Sequence, residues 1–479
     1  MSDISRRQFL KIFGAGTVAT AAVAAGCKHP NNVKTEGGQL GEVPTDQMTY
    51  RTDQHGERVS LLGFGMMRLP TLGDKNGDKE NKELDQEEIN QLVDYAIAHG
   101  VNLFDTAPRY CKGQSEQATG IALSRHPRNT WRVSTKMSNF PPSTWSFQES
   151  KKIFENSLKS LQTDYVDFLM LHSIGGSMKD EHGNQLTAMQ TFERRFIDNG
   201  LLDWLVEQRE KGRIRNLGFS YHGDVAVFDH CMSMHDKIHW NHVLIQHSYV
   251  DYRHAKQIEE ENTNSEYLYS EADKRGIPCF VMEPLLGGRL AELNEHATQQ
   301  LKEREPDASI ASWAFRFAGT LPRILTVLSG MNKMEHLQDN IRTYSPLKPL
   351  SDDEFNLLQD IAAVYANYPL VPCTSCQYCM PCPYGIDIPS VFQHFNRCLN
   401  EGNIVDDSHL NENTSAEKRE YRRARRAFLV GYDRSMPRLR QADHCIGCNH
   451  CVPLCPQGID IPVQMRRIDQ YVESLKQTN

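Results

Sequence analysis

VNLFDTAPRY, residues 101–110, joins in one short segment two features that recur along most of the chain. It begins with a mostly apolar run of the length expected for a short buried strand. Asp105 and Tyr110 follow this run directly, so side chains capable of proton chemistry stand where the predicted strand ends. The segment therefore predicts a buried strand whose carboxyl end carries functional residues.

Similar apolar runs appear at residues 59–62, 101–104, 131–134, 166–171, 214–219, 242–246, 278–282 and 324–328. Segments with helical periodicity separate them, at residues 87–99, 115–124, 147–161, 201–211 and 225–235. Strands that alternate with helices in this way predict an α/β chain folded as a (β/α)8 TIM barrel. A doubly wound open sheet is the rival, but Gly63 and Gly65 are not followed by the third glycine of a dinucleotide-binding fingerprint.

Two further predicted strands also end in residues with acid–base chemistry. The third run is followed by Lys136 and the fourth by His172. In a barrel these side chains would converge with Asp105 and Tyr110 at the carboxyl face. A phenol is a poor acid near neutral pH, a nearby ammonium group would lower its pKa, and a carboxylate would hold that ammonium group in place. The set is suited to carbonyl reduction.

On these motifs, the chain from about residue 49 to 344 resembles the aldo-keto reductase superfamily. The resemblance implies NADP or NAD as cofactor, Tyr110 as general acid, Lys136 tuning it, Asp105 bracing Lys136, and His172 positioning the substrate. It also implies a set of cofactor-binding residues: Ser220, Gln246, Met282, Gly330, Asn332, Lys333 and Asn340. The long polar stretch at residues 173–199 is expected to shape the substrate pocket.

Two positions depart from the family pattern. Met282 stands where many relatives have an aromatic residue against the nicotinamide ring, and a thioether packs less rigidly. Asn332, with Lys333 beside it, stands where relatives that prefer NADP place a cation for the 2′-phosphate. A phosphate group favours a cation or several donors, so the sequence leans towards NADP without deciding between NADP and NAD.

Near the C-terminus, two cysteine runs are each followed by proline and by the similar segments PYGIDIP and PQGIDIP. The first run is Cys373, Cys376, Cys379 and Cys382, and the second is Cys445, Cys448, Cys451 and Cys455. The second run has the C-x2-C-x2-C-x3-C-P spacing of bacterial iron–sulfur clusters, and the first is shorter by one residue. Zinc is a weaker alternative, because these spacings crowd too many thiolates around one ion. A disulfide framework is a still weaker alternative, because it suits short secreted chains that lack a core, and this chain is long.

The cysteine pattern resembles that of two-cluster ferredoxins, which implies two [4Fe-4S] clusters. In that family the fourth cysteine of each run binds the other cluster. The resemblance thus implies one set of Cys373, Cys376, Cys379 and Cys455, and another of Cys445, Cys448, Cys451 and Cys382. Residues 391–400 and 416–432, between the runs, have helical character, which favours a mostly α-helical ferredoxin-like domain.

The N-terminus carries an export pattern. SRRQFLK, residues 5–11, precedes a small-residue apolar stretch at residues 12–26, the arrangement of a twin-arginine signal. That pathway exports folded proteins, as a protein assembled with clusters requires. AAGC, residues 24–27, also resembles a lipoprotein cleavage box with Cys27 as the lipidated residue; the alternative is ordinary cleavage with Cys27 incidental. The sequence thus predicts a periplasmic protein, with a membrane anchor if Cys27 is lipidated.

The chain has 479 residues and a net charge of −8, so no global basic field favours nucleic acid. KREYRRARR, residues 418–426, is basic and reads as a solvated helix face, with docking of an acidic redox partner protein as the alternative. The expected divisions are a signal at 1–27, a tether at 28–46, a barrel at 47–345, a linker helix at 346–370 and an iron–sulfur domain at 371–479.

The sequence predicts an exported oxidoreductase that acts on a small carbonyl or alcohol substrate and transfers electrons through two clusters. Two alternatives remain open. In one, the protein transfers electrons and the barrel is a catalytically silent scaffold. In the other, the barrel is an ordinary reductase and the clusters are structural. Nothing in the sequence identifies the substrate, the reaction direction or the electron partner.

Overall fold

The computed structural model describes residues 42–76, 81–259, 261–366, 370–405, 415–455 and 457–477. The twin-arginine segment, the apolar stretch, Cys27 and most of the predicted tether lie outside the described residues. No helix in the described part of the chain is long and apolar enough to cross a membrane.

Eight parallel strands in the described part of the chain close into a barrel with helices around it, which confirms the predicted (β/α)8 fold. Two short strands come first, β1 (Tyr50–Thr52) and β2 (Arg58–Ser60). The barrel strands are β3 (Leu62–Gly65), β4 (Leu103–Asp105), β5 (Arg132–Met137), β6 (Val166–Ile174), β7 (Ile214–Tyr221), β8 (His242–Gln246), β9 (Cys279–Met282) and β10 (Ile324–Ser329). Strand β10 pairs with β3 and closes the barrel.

The helices around the barrel are α1 (Leu72–Asn76), α2 (Gln86–Ala98), α3 (Ser115–Leu123), α4 (Phe147–Leu161), α5 (Ala188–Phe192), α6 (Leu201–Glu210), α7 (Val225–Ser233), α8 (His235–Ile238), α9 (Asp251–Ile258), α10 (Ser265–Lys274), α11 (Glu295–Arg304), α12 (Ile310–Thr320) and α13 (Met334–Thr343). Polar side chains set several of their starts. The Asp85 carboxylate accepts a hydrogen bond from the Glu88 backbone N–H ahead of α2, and Ser146 Oγ accepts one from Glu149 ahead of α4.

The placement of the first predicted strand is wrong. Residues 58–60 pair antiparallel with β1, and the first barrel strand is β3. The hairpin is held at the end of the barrel where the strands begin, because Arg51 donates hydrogen bonds to the carbonyl oxygens of Leu321 (2.5 Å) and Gly319 (2.6 Å). Val59 is fully buried within the cluster inside the barrel, so a single apolar run in the sequence supplies both the hairpin and β3.

Residues predicted as a linker helix form α14 (Asp352–Ala366), which packs on the outside of the barrel. Leu358, Ile361 and Ala362 share an apolar cluster with residues of α12. The buried Arg316 guanidinium contacts the Glu354 carboxylate at 2.9 Å, which ties α12 to α14. The helix is therefore an outer layer of the barrel that carries the chain towards the C-terminal domain.

The C-terminal domain is mostly helical, as expected, and consists of α15 (Ile388–Asn400), α16 (Ser415–Ser435) and α17 (Ile461–Gln477), with short 3₁₀ turns. A separate apolar core holds it together, in which Phe392, Phe428 and Met465 come from different helices. The first cysteine run directly precedes α15, and the second directly precedes α17. The packing of these helices therefore brings the two runs together.

Candidate functional site

Three of the four candidate catalytic residues stand at the carboxyl ends of successive barrel strands. Asp105 is the last residue of β4, Lys136 is the last residue but one of β5, and His172 lies near the end of β6. Lys136 Nζ donates to Asp105 Oδ2 at 2.6 Å and to the carbonyl oxygen of Thr106 at 2.9 Å. Both charged side chains are buried, so the pair is removed from water and its geometry is fixed.

Tyr110 opens a short 3₁₀ turn after β4, and Lys136 Nζ lies 4.7 Å from the centroid of its ring. Burial raises the pKa of Tyr110 well above that of a free phenol, and the charges of Asp105 and Glu283 raise it further. The net shift is therefore upward, because burial and the two carboxylates dominate, and the role of Lys136 in lowering this pKa stays a prediction.

His172 is held as a neutral imidazole. Burial lowers its pKa well below the usual range, and the charges of Lys136, Arg195, His222 and Arg109 lower it further. Its Nδ1 lies 2.6 Å from the hydroxyl oxygen of Ser138, and its ring meets the Tyr110 ring edge to face at 6.0 Å. When the Ser138 hydroxyl donates to Nδ1, the single ring proton resides on Nε2, where it can serve a substrate oxygen.

Arg195 is a site residue that sequence reasoning missed. It comes from the short π-helical turn Glu193–Ile197 within the stretch expected to shape the substrate pocket. Its buried guanidinium donates to the carbonyl oxygens of His172 (2.7 Å) and Ser173 (3.1 Å) and to Asn139 Oδ1 (3.3 Å). Burial lowers the pKa of Arg195 to about 9, so it remains cationic at neutral pH. The sequence offered no clear signal for it, because Arg195 follows Glu193 and Arg194 in the charged segment ERRFI.

Ser220, Gln246 and Met282 lie at the ends of β7, β8 and β9, at the same face of the barrel as Asp105. Ser220 Oγ accepts a hydrogen bond from the Ser173 backbone N–H at 2.7 Å. Gln246 Nε2 donates to Asp251 Oδ1 at 3.1 Å, so its amide group is oriented. Met282 packs against the cluster inside the barrel. The structure therefore brings these predicted residues together on one side of the barrel mouth.

The loop after β10 carries Gly330, Asn332 and Lys333. Lys333 is exposed and directly precedes α13, so a cation stands next to the N-terminus of a helix. The Arg68 side chain runs along Gly330, and its Nη1 donates to the Gly287 carbonyl oxygen at 3.3 Å. Backbone N–H groups at a helix N-terminus together with two cations fit the phosphate groups of a dinucleotide. Arg68 was not predicted.

Asn340 lies in α13 beneath this loop and is buried. Its Nδ2 donates to Ser329 Oγ at 3.0 Å. The side chain therefore braces the end of β10 in this structure.

Four thiols from both cysteine runs line one small cavity: Cys373, Cys376, Cys379 and Cys455. Apolar side chains, including Ile388, Phe392 and Ile461, form the rest of its lining. Burial raises the pKa of Cys379 to about 12, and the charges of Cys373, Cys376 and Cys455 raise it further. Crowded thiols that oppose one another's ionisation become favourable ligands when iron supplies positive charge.

The other four cysteines also lie close together. Burial raises the pKa of Cys451 to about 11, and the charges of Cys445, Cys382 and Cys448 raise it further. The structure thus groups the eight thiols in the two crossed sets that the ferredoxin resemblance implies. No group of His, Cys, Asp or Glu side chains in the described part of the chain is arranged around a single metal ion.

The segment of the first cysteine run contacts the barrel near the catalytic residues. Thr374 is buried against Gly287, whose Cβ, if it had one, would lie 2.3 Å from the Thr374 Cβ. Burial raises the pKa of Tyr378, and the next contributors are the charges of Tyr110, Cys376 and Cys111. Asn400 Nδ2 of α15 donates to the Glu292 carbonyl oxygen at 3.1 Å. The C-terminal domain therefore rests on the catalytic face of the barrel.

Comparison with known families matches both parts of the chain. A model of the aldo/keto reductase family matches residues 61–363, and a model of the 4Fe-4S dicluster domain matches residues 372–459. An uncharacterised oxidoreductase, YqkF of Bacillus subtilis, is 24% identical over 321 residues, which cover 63% of this chain and 92% of the relative. L-galactose dehydrogenase of Arabidopsis thaliana is 24% identical over 326 residues, or 64% of this chain and 91% of the relative.

Solved structures of aldo-keto reductases match about two thirds of this chain. The holo form of the aldo-keto reductase AKR11C1 of Bacillus halodurans is 22% identical with a TM-score of 0.48, and the match covers 66% of this chain and 96% of that one. An aldo/keto reductase of Klebsiella pneumoniae in complex with NADP and acetate is 18% identical with a TM-score of 0.48, over 65% of this chain and 94% of that one.

Proposed function

Because this chain belongs to the aldo/keto reductase family, with a 4Fe-4S dicluster domain at its C-terminal end, we propose that it couples NAD(P)-dependent carbonyl or alcohol redox chemistry in the barrel to electron transfer through two [4Fe-4S] clusters. The observation that carries the proposal is an arrangement of the whole molecule. Asp105, Tyr110, Lys136 and His172 meet at one face of the barrel, and the segment of the first cysteine run lies on that same face.

In carbonyl reduction Tyr110 donates a proton from its hydroxyl group to the developing alkoxide oxygen. Its raised pKa keeps the phenol protonated throughout the neutral range, so the proton that Tyr110 donates is always present. Lys136 and Asp105 form a rigid pair beneath the Tyr110 ring and position it. The neutral His172 donates a hydrogen bond from Nε2 to the same substrate oxygen, while Ser138 fixes its ring.

The nicotinamide cofactor, when bound, supplies or accepts the hydride. Ser220, Gln246 and Met282 would hold its nicotinamide end, and Gly330, Asn332, Lys333 and Arg68 its phosphate groups. Two cations at the phosphate loop support NADP as the preferred form. Asn340 contributes by fixing the base of that loop.

The clusters, when bound, exchange single electrons. The set containing Cys373 would hold the cluster nearer the barrel, and the set containing Cys448, the one exposed thiol among the eight, would hold the cluster nearer solvent. A hydride carries two electrons and one proton, so its oxidation would deliver one electron to each of two clusters and release the proton to solvent, through a flavin-type carrier that accepts a hydride and passes on single electrons. The exposed position of the second set and the basic stretch at 418–426 support an acidic redox protein as the external partner.

Export by the twin-arginine route and anchoring through Cys27 belong to the same proposal and are supported by the N-terminal sequence. Replacing Arg6 and Arg7 together by Lys should leave the protein in the cytoplasm after cell fractionation. A Cys27→Ser variant should still be exported but should leave the membrane fraction. Retention of that variant in the membrane would contradict the lipid anchor.

The decisive experiment is electron paramagnetic resonance of anaerobic, cluster-loaded protein before and after addition of NADPH or NADH. A reduced-cluster signal that appears with the nicotinamide, together with carbonyl turnover that is lost in Tyr110→Phe, is the expected result. Clusters reducible by dithionite but not by nicotinamide, in protein that turns over carbonyls normally, would contradict the coupling and favour structural clusters. Failure to bind either nicotinamide in a fluorescence titration would favour the silent-scaffold alternative.

A further inference from the structure

Arg109 stands at the mouth of the barrel beside the catalytic Tyr110 and is exposed. Its guanidinium carbon lies 5.4 Å from the centroid of the Phe140 ring, and the same ring lies 4.9 Å from that of His172. Among the described residues, no carboxylate or hydrogen-bond acceptor is paired with Arg109. It contrasts with Arg195, whose guanidinium is occupied by three acceptors in the protein.

The charges around this corner of the site are predominantly positive. Arg109, Arg195 and Lys136 all act on His172, and the Asp105 carboxylate is taken up by its ion pair with Lys136. Glu283 also acts on Tyr110, but it follows β9, which is separated from β4 by two other strands of the barrel. An anionic group near Arg109 would therefore meet a cation that lacks a partner.

The C-terminal domain brings a tyrosine to this corner of the site. Tyr378 lies between Cys376 and Cys379 in the first cysteine run and remains 37% exposed. Arg109, Tyr110 and Cys111 are among the groups whose charges act on it. Phe140 of the barrel therefore lies against the unpaired guanidinium, and Tyr378 of the C-terminal domain lies near it, an arrangement that suits a flat substrate with a negatively charged end.

We propose that the site takes a carbonyl substrate that also bears a carboxylate, with Arg109 binding the carboxylate and Tyr378 of the C-terminal domain packing against the body of the substrate. The inference rests on the proposed function and names the substrate class for it. An arginine fork matches a carboxylate through two parallel N–H···O bonds, so Arg109 acts as a specificity-determining residue. Anchored there, the substrate would present its carbonyl oxygen to Tyr110 and His172.

The test compares 4-formylbenzoate with its neutral isostere 4-formylbenzamide in the cluster-loaded enzyme. The wild type should prefer the anion in kcat/KM by about tenfold to a hundredfold, the size of a charge-assisted bond, and the difference should lie in KM. Arg109→Gln should abolish the preference and Arg109→Lys should keep part of it. Arg125→Gln is the matched control, because Arg125 is exposed and paired with Asp94 on the helical layer.

A second pair of variants tests the aromatic wall. Tyr378→Ala should raise KM for both aldehydes to a similar extent, since packing does not depend on the carboxylate. Tyr384→Ala is its control, because Tyr384 is exposed in the same part of the domain. Equal effects of the two variants, or an unchanged KM in Tyr378→Ala, would overturn the role of Tyr378.

Calorimetry with benzoate and benzamide supplies a readout other than turnover. Benzoate should bind the wild type more tightly than benzamide, and Arg109→Gln should lose the difference. Equal binding in the wild type, or a preference that survives in Arg109→Gln, would overturn the proposal. Failure of the proposed function would look different: neither aldehyde would turn over with either nicotinamide, while the benzoate measurement would still decide whether Arg109 binds carboxylates.

Discussion

Tyr110 is the residue whose surroundings most directly set the pH dependence of the chemistry. Because burial raises its pKa, the phenol stays protonated well into the alkaline range. Carbonyl reduction needs the protonated form and should be nearly constant from pH 6 to about 9, near the ordinary phenol pKa. Alcohol oxidation needs the phenolate and should rise with pH over the same range. Initial rates in both directions, in buffers of constant ionic strength, check the prediction.

Removing the Tyr110 hydroxyl tests the same residue more directly. Tyr110→Phe should lower kcat for carbonyl reduction by about 100-fold to 10,000-fold, the usual contribution of a positioned acid. The affinity for NADPH, measured by fluorescence titration, should change little. A comparable loss in Tyr95→Phe, which alters a tyrosine in α2 outside the site, would show that the effect is not specific to the acid.

The buried pair of Lys136 and Asp105 should matter for stability as well as catalysis. Lys136→Met leaves Asp105 as an uncompensated buried charge and should cost about 3–5 kcal/mol in the free energy of unfolding. The exposed pair of Lys152 and Glu149 offers a control, since Lys152→Met should cost about 1 kcal/mol or less. Urea unfolding followed by tryptophan fluorescence compares the two. Equal losses of unfolding free energy in the two variants would mean that burial does not make the Lys136–Asp105 pair more important for stability than an exposed pair.

At the scale of elements, the contact between Gly287 and Thr374 decides how closely the C-terminal domain sits on the barrel. Gly287→Ala would bring its Cβ within 2.3 Å of the Thr374 Cβ, so the first cysteine segment must move away. Gly288→Ala is a matched control, because Gly288 also has a positive φ but no atom within 4 Å of its Cβ position. Hydrogen exchange of residues 373–382 should increase only in Gly287→Ala. Similar exchange in both variants would contradict the contact.

The elements themselves were largely predictable from the sequence, and the exceptions have a physical explanation. The run 147–161 was predicted as a helix and forms α4 with the same bounds, because its apolar face and the Ser146 cap agree. The apolar run 59–62 was misplaced because both the hairpin and β3 bury the same residue types. Local composition records burial but not pairing direction, so only the barrel's closure distinguishes the two strands.

At the scale of the whole molecule, the crossed grouping of thiols predicts which ligand belongs to which cluster. Cys455→Ala should weaken the cluster that shares Cys373, although Cys455 belongs to the second run in sequence. Cys382→Ala should weaken the other cluster. Iron content and the resonance signals of the two clusters in each variant check the assignment. If each variant affects the cluster of its own run, the crossed grouping is wrong.

The candidate site was predictable to the extent that its residues follow strand ends or fixed spacings. Asp105, Lys136 and His172 were found because a parallel barrel places consecutive strand ends side by side. Arg109 and Tyr378 could not be assigned, because their proximity depends on how the C-terminal domain rests on the barrel, over more than 260 positions of sequence. Contacts between residues so far apart leave no local pattern in the sequence.

The crossed thiol sets also have a consequence for biosynthesis. The ribosome makes Cys455 after the entire barrel, yet Cys455 shares a cavity with Cys373, Cys376 and Cys379. The other set is complete only at Cys451, so neither cluster has all of its thiols until the ribosome has reached the second cysteine run, and cofactor insertion becomes a late event that follows synthesis of the barrel. If the protein leaves the cytoplasm already folded, as we propose, such timing would act as a proofreading step: only chains synthesised through to Cys455 could carry both clusters when they are exported.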